Sequence, residues 1–243
     1  MRIGTSGIVV PGSKENFPKE FQQKGRLNYY SSLFNTLEVN STFQKIPMLS
    51  TFEKWSNDVG EDFRFTIKLW KEITHVKQLD INLNNIDNFF SAANHIGHKK
   101  GCLLIQFPGS IKAEYSDKIE QILERIHQLD FENKWRKAVE FRSESWYTDS
   151  IFTLIKNYNT TMVLQDMPKS NNLTLNQDLA FAYFRFHGPK GDYRGSYSND
   201  FLNEQAVKIK LDLDNGKDVY AYFNNTMGNA YENAMSLKAM VEE

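Results

Sequence analysis

Phe181-Ala182-Tyr183-Phe184-Arg185-Phe186-His187 is the stretch whose reading decides the fold. It is a short β-type run, and side chains along a strand alternate between two faces. Arg185 and His187 are two residues apart and share one face, while Phe186 between them takes the other. The same arrangement recurs in Glu140-Phe141-Arg142 and in Glu38-Val39-Asn40. In each run a polar pair and its apolar neighbour have opposite parity. Val39, Phe141 and Phe186 suit a face packed under helices, and the polar pairs suit a shared interior.

Outward from these three, β-type runs recur along the whole chain. They are Arg2–Ser6, Thr36–Asn40, Phe63–Lys68, Cys102–Phe107, Ala138–Arg142, Thr161–Asp166, Phe181–His187 and Val219–Asn224. Between them lie segments with apolar spacing of three and four, such as Ile119, Ile122, Leu123 and Ile126. Another is Phe89, Phe90, Ala93 and Ile96, closed by Gly97. A last helix is expected at about 230–241. Strands alternating with helices predict a parallel sheet. Eight such units predict an α/β fold closed into a (β/α)8 TIM barrel, one domain over residues 1–243, and such barrels typically need about 250 residues. The alternative is an open doubly wound sheet. It is disfavoured because Gly4-Thr5-Ser6-Gly7 does not fit the G-x-G-x-x-G turn of a dinucleotide fold.

Composition narrows the function classes. Lys and Arg total 29 against 30 Asp and Glu, a net charge of −1, so no global basic excess draws the chain to nucleic acid or an anionic membrane. One cysteine, Cys102, lies in an apolar run; this excludes a disulfide framework and reads as a buried thiol. No apolar stretch approaches the ~20 residues that span a bilayer. The N-terminus runs directly into a strand, so a cytoplasmic location and no membrane partner are expected.

In such barrels the active site lies at the C-terminal ends of the strands. Those ends carry Ser6 and Gly7, Glu38 and Asn40, Lys68, Gln106, Glu140 and Arg142, Asp166, Arg185 and His187, and Asn224 with Asn225. Glu38 and Glu140 are candidate acid–base carboxylates, with His187 as a further catalytic candidate. Lys68, Arg142 and Arg185 are expected to bind negative charge, and Asn40, Gln106, Asp166 and Asn224 to orient a ligand. Lys68 has a second reading as a Schiff-base lysine, though a lysine among carboxylates is more often an ion-pair partner. No cofactor is specified. Glu38, Glu140, Asp166 and His187 are the right donor types for a divalent metal, but Lys68, Arg142 and Arg185 already balance their charge, so a metal site is disfavoured.

The turn-rich loop His187–Asn199 contains Gly188, Lys190, Gly191, Tyr193, Arg194, Gly195 and Tyr197. Loops after the last strands of a barrel often bind phosphate. Its glycines suggest backbone N–H groups near an anion, with Lys190 and Arg194 adding charge and Tyr193 and Tyr197 stacking on a ring.

The chain also resembles the YecE-like family, a widespread group gathered as a domain of unknown function with a TIM-barrel fold. The resemblance runs through Ile3-Gly4-Thr5-Ser6-Gly7, Glu38-Val39-Asn40-Ser41-Thr42-Phe43 with Pro47, Phe63-Arg64-Phe65 to Lys68, Thr74-His75, and Gln106 with Pro108. It continues through Glu140-Phe141-Arg142 with Ser145-Trp146, Asp166 with Pro168, Tyr183-Phe184-Arg185-Phe186-His187-Gly188 and Tyr222-Phe223-Asn224-Asn225. Ile8-Val9-Val10-Pro11 and Gln44 stand where the family carries aromatics, which implies a different substrate preference. The resemblance implies the fold and the position of the site, and no reaction.

The expected function is an enzyme, a hydrolase or isomerase, acting on a small polar or anionic, sugar- or phosphate-like ligand. The alternatives are a protein that binds or processes single-stranded nucleic acid, and a non-catalytic binding barrel.

Overall fold

The structure is a computed structural model that describes residues 1–175 and 181–243. Its strands are β1 (Arg2–Thr5), β2 (Thr36–Val39), β3 (Arg64–Lys68), β4 (Lys100–Phe107), β5 (Arg136–Phe141), β6 (Thr160–Met162), β7 (Leu164–Gln165), β8 (Phe181–Phe186) and β9 (Asp218–Phe223). The helices are α1 (Arg26–Leu33), α2 (Leu49–Asn57), α3 (Lys71–Thr74), α4 (Asn84–Ala93), α5 (Ser116–Leu129), α6 (Asp149–Asn157), α7 (Asn199–Asp214) and α8 (Ala230–Glu242).

All strand pairs are parallel, in two arcs ordered β2-β3-β4-β5-β6 and β1-β9-β8-β7. Two seams close the arcs into a ring. At the first, Ser6 bridges Glu38 beyond the end of β1, and the Gly7 N–H donates to the Glu38 carbonyl at 2.8 Å. Gly4 allows this approach, because a Cβ there would sit 2.7 Å from the Thr36 carbonyl oxygen. At the second seam, β6 and β7 are halves of the sixth run read from the sequence, interrupted at Val163. The Val163 N–H still donates to Val139 of β5, whereas Leu164 and Gln165 pair with β8. The Asn172 side chain fills the break, donating to the Val163 carbonyl at 2.9 Å and accepting from the Gln165 N–H at 2.7 Å. The result is the TIM barrel.

Strand parity places the side chains as period two dictates. Val39, Phe141 and Phe186 belong to the large core between strands and helices. A second, smaller core of Cys102, Leu104, Ala138, Val163, Phe181, Tyr183, Tyr220 and Tyr222 fills the barrel's interior below the mouth. Cys102 is a buried free thiol there. The Tyr222 hydroxyl lies 2.6 Å from Thr36 Oγ1 and 2.8 Å from Thr66 Oγ1, so its polar tip is satisfied within that core. Outside, α5 buries Ile119, Ile122, Leu123 and Ile126, one helical stripe. The side chains of Thr148 and Ser198 accept from main-chain N–H groups at the starts of α6 and α7, which fixes where those helices begin. Among the described residues, no helix is long and apolar enough to cross a membrane.

Candidate active site

Above the apolar interior the inward positions turn polar, and Arg185 on β8 organises them. Its Nε donates to Glu38 Oε2 at 2.9 Å and its Nη2 to Glu38 Oε1 at 2.7 Å. Its Nη1 donates to Glu140 Oε2 at 2.7 Å. One guanidinium therefore joins β2 to β5 across the barrel. The Ser6 and Tyr183 hydroxyls each donate to Glu38 at 2.6 Å, so both of its oxygens are engaged. Glu38 and Glu140 are 0% exposed, and burial alone would raise both carboxyl pKa values. Burial is the largest single effect on each, but for Glu38 the Arg185 charge together with the hydrogen bonds from Arg185, Ser6 and Tyr183 outweighs it. For Glu140 the summed electrostatic pulls of Arg142, Arg185, His187 and Lys68 do so, and both carboxyls are held below the usual carboxylate range. The Arg185 pKa is raised well above its ordinary value: burial opposes its charge, but the two carboxylates prevail.

Glu140 also pairs with the Arg142 guanidinium, but Nε of Arg142 and Oε1 of Glu140 are misaligned for a hydrogen bond and, among the described residues, neither has another. His187 Nε2 lies 3.6 Å from that same carboxylate oxygen. His187 Nε2 is also 3.0 Å from Arg142 Nη2 and 3.2 Å from Arg185 Nη1. Guanidinium nitrogens only donate, so Nε2 must accept and the proton sits on Nδ1, which donates to Asp166 Oδ1 at 3.1 Å. Burial lowers the His187 pKa and Asp166 only partly restores it, which keeps the imidazole neutral. Asp166 in turn accepts from the Tyr197 hydroxyl and from the His187 N–H.

Lys68 reaches the same mouth from β3. Its Nζ lies 4.2 Å from the centre of the Phe43 ring and, among the described residues, has no hydrogen-bond or ion-pair partner. Burial, then the charge of Arg185, brings its pKa down to about 8 against the pull of Glu140 and Glu38. His75, at the end of α3, packs edge-on to the same Phe43 ring at 4.7 Å. Its Nδ1 is 2.8 Å from Thr74 Oγ1, and its Nε2 is 3.4 Å from the Gln106 amide nitrogen. Burial and the neighbouring Lys68 lower the His75 pKa to about 4, so it too is neutral at pH 7.

The structure thus brings Glu38, Lys68, Gln106, Glu140, Arg142, Asp166, Arg185 and His187 into one mouth. Asn40 sits at the rim beyond β2 with a buried Oδ1 that accepts no hydrogen bond among the described residues. Asn224 reaches β8 through its main chain, donating to the Phe186 carbonyl at 2.7 Å. Arg194 is exposed, and among the described residues its guanidinium contacts none of the network.

The loop after β8 differs from the sequence-based expectation. Tyr197 is not free to stack on a ligand: it is buried against Phe186, Phe201 and Phe223, and its hydroxyl accepts from the Gly188 N–H at 2.5 Å. The N–H groups of Gly191, Tyr193 and Arg194 are likewise spent on Gly188, His187 and Asp192. A phosphate cradle needs such groups unpaired, and here they fold the loop onto itself. His75, Phe43 and Tyr183 are the site residues that strand-end reasoning did not include. Among the described residues, no three His, Cys, Asp or Glu side chains converge as metal ligands.

A parallel barrel whose mouth holds a buried carboxylate–guanidinium network is the class of protein that fold and site define. The chain belongs to the family described as "Protein of unknown function DUF72", whose sequence model matches residues 2–243. This is the YecE-like group that the sequence motifs resemble. The chain is 26% identical over 142 residues to the UPF0759 protein YunF of Bacillus subtilis, a match covering 56% of this chain and 48% of that protein, so it spans about half of that relative's length. A DUF72 family protein of Thermotoga maritima has a similar structure, with a TM-score of 0.78 and 26% identity over 100% of this chain and 99% of that one. One from Enterococcus faecalis superposes with a TM-score of 0.81 at 19% identity, over 100% and 95% of the two chains, and bears on the fold alone.

Proposed function

We propose that the protein is an enzyme that binds a small anionic substrate at the barrel mouth and moves protons on it. The observation that carries this reading is Lys68. Glu38, Glu140 and Asp166 are each engaged by partners, and Arg142 and Arg185 are each matched to a carboxylate. Among the described residues Lys68 is left as a cation with no partner, at a partly buried position where desolvation makes an uncompensated charge costly. A ligand anion supplies the missing partner.

In this reading Lys68 and Arg142 hold the substrate's negative group. Glu140, whose Oε1 accepts no hydrogen bond among the described residues, takes and returns the proton. The neutral His75 is placed in the same mouth to share that role. Glu38 positions Arg185, and His187, tied to Asp166, supports the guanidinium pair.

The test does not require the natural substrate. Phosphorylated sugars and hydroxy- or keto-acids are incubated with the protein in D2O, and deuterium uptake at carbon is read by NMR. Binding of inorganic phosphate is followed in parallel by calorimetry. We expect uptake with at least one compound, reduced by ~100-fold or more in Glu140→Gln, because a positioned acid–base group contributes about that much or more. Phosphate binding should survive in that variant. Absence of both phosphate binding and exchange in the wild-type protein would sink the proposal.

A further inference from the structure

We propose that Lys68 is a nucleophilic amine that forms an imine with an aldehyde or ketone bearing a negatively charged group. This rests on the reading of the mouth as an anion-binding active site and names the substrate class within it.

The geometry is that of an activated amine rather than a structural ion pair. A lysine whose role is charge balance sits against a carboxylate, as Lys137 does with Asp130 at 3.4 Å. Lys68 instead lies over the face of Phe43, with no oxygen in hydrogen-bond reach among the described residues. An apolar wall and nearby cations are the two means by which proteins hold a lysine in its neutral, nucleophilic form. Both are present: burial and the Arg185 charge favour the free amine and prevail over the opposing pull of Glu140 and Glu38. With a pKa of about 8, Lys68 presents on the order of 100-fold more free amine at pH 7 than an ordinary lysine. Glu140 and neutral His75 lie in the same mouth to relay protons, since both feel the Lys68 charge.

The step balances without a redox partner. The ammonium gives a proton to water, and the freed nitrogen lone pair bonds to the carbonyl carbon. The C=O π pair moves to oxygen, which gains protons, and the C–O bond breaks to release one water. The product is a protonated imine, so the charge beside Glu140 is the same before and after. That cation withdraws electrons from the adjacent carbon, which is what proton removal by Glu140 requires.

The experiment is reductive trapping of the full chain with glyoxylate, pyruvate or glyceraldehyde 3-phosphate and sodium cyanoborohydride, read by intact-mass and peptide mass spectrometry. We expect one adduct per chain, on Lys68, formed at least ~10-fold faster than on any surface lysine and accelerating as pH rises toward 8. Lys68→Arg keeps the positive charge and cannot form the imine. It should still bind inorganic phosphate by calorimetry but lose the adduct and the deuterium exchange. Adducts spread over surface lysines alone, with none at Lys68 for all three probes, would overturn the inference. So would wild-type exchange in Lys68→Arg. If trapping fails while phosphate still binds, only the imine falls; if phosphate binding fails as well, the anion-binding reading falls with it.

Discussion

Replacing Arg185 by Met tests the electrostatic account of the mouth most directly. The substitution leaves an unbranched apolar side chain, shorter than arginine, and removes the hydrogen bonds at 2.7 to 2.9 Å that tie the guanidinium to Glu38 and Glu140. Glu38 retains only the Ser6 and Tyr183 hydroxyls, and Glu140 only Arg142 as a direct carboxylate partner. Breaking a buried ion pair by removing one partner costs about 3–5 kcal/mol, and here one cation serves two carboxylates that are 0% exposed. The expected loss at pH 8 is at the upper end of that range, a large share of the ~5–15 kcal/mol that holds a typical domain. Urea unfolding followed by tryptophan fluorescence at pH 5 and pH 8 measures it. In the wild type both carboxyls have folded pKa values below their unfolded ones. Their contribution is present above the unfolded pKa and fades only as pH falls through the depressed values. In the variant, burial without Arg185 raises the folded pKa of Glu38 above its unfolded value. Stability is then greater at low pH and declines as pH rises through the raised value. The gap between wild type and variant should therefore narrow by ~1.4 kcal/mol for each unit of that rise on moving to low pH. Adding Glu38→Gln and Glu140→Gln should recover most of the loss, because uncharged groups carry a smaller burial cost. A loss under about 1 kcal/mol, or one independent of pH, would refute the argument.

Two further outcomes follow from single positions. Lys68→Met should stabilise the protein by ~1 kcal/mol at pH 7 in thermal or urea unfolding, while abolishing anion binding, since it removes a charge that serves only a ligand. The folded Lys68 pKa of about 8 lies below its unfolded value, so this advantage is full below pH 8 and shrinks as pH rises from there; an advantage that grows with pH counts against it. Gly188→Ala should cost ~2 kcal/mol or more. Gly188 has a φ of +99°, and a Cβ there would collide with the Arg194 carbonyl; an unchanged melting temperature would show that the loop is looser than described.

Much of the barrel was legible because its information is local. Period-two alternation assigns Glu38, Glu140 and Arg185 inward and Val39, Phe141 and Phe186 outward without reference to any other part of the chain. The sixth run was read as continuous. Its break at Val163 depends on Asn172, whose side chain replaces strand hydrogen bonds from outside the run. His75 was overlooked as a mouth residue because it comes from a short helix rather than a strand end, and nothing in Thr74-His75 signals its edge contact with Phe43. Tyr183 looks like core in a sequence, and only the fold brings its hydroxyl to Glu38. Tyr197 was read as a ligand-stacking ring for the converse reason: its burial is set by Phe201 on α7 and Phe223 on β9. Pairing is likewise a three-dimensional fact, so the sequence places Lys68 among carboxylates but cannot show that it lacks a partner.

The two-arc construction of the ring gives Arg185 a mechanical meaning. Glu38 and Glu140 belong to the β2–β6 arc, and Arg185 to the β1-β9-β8-β7 arc. Glu38 also takes the Ser6 hydroxyl across the first seam. The guanidinium is therefore a clasp between two half-shells, seated directly beneath the binding surface. Removing that clasp would leave the two half-shells joined at this level by the Ser6 and Tyr183 hydroxyls on Glu38.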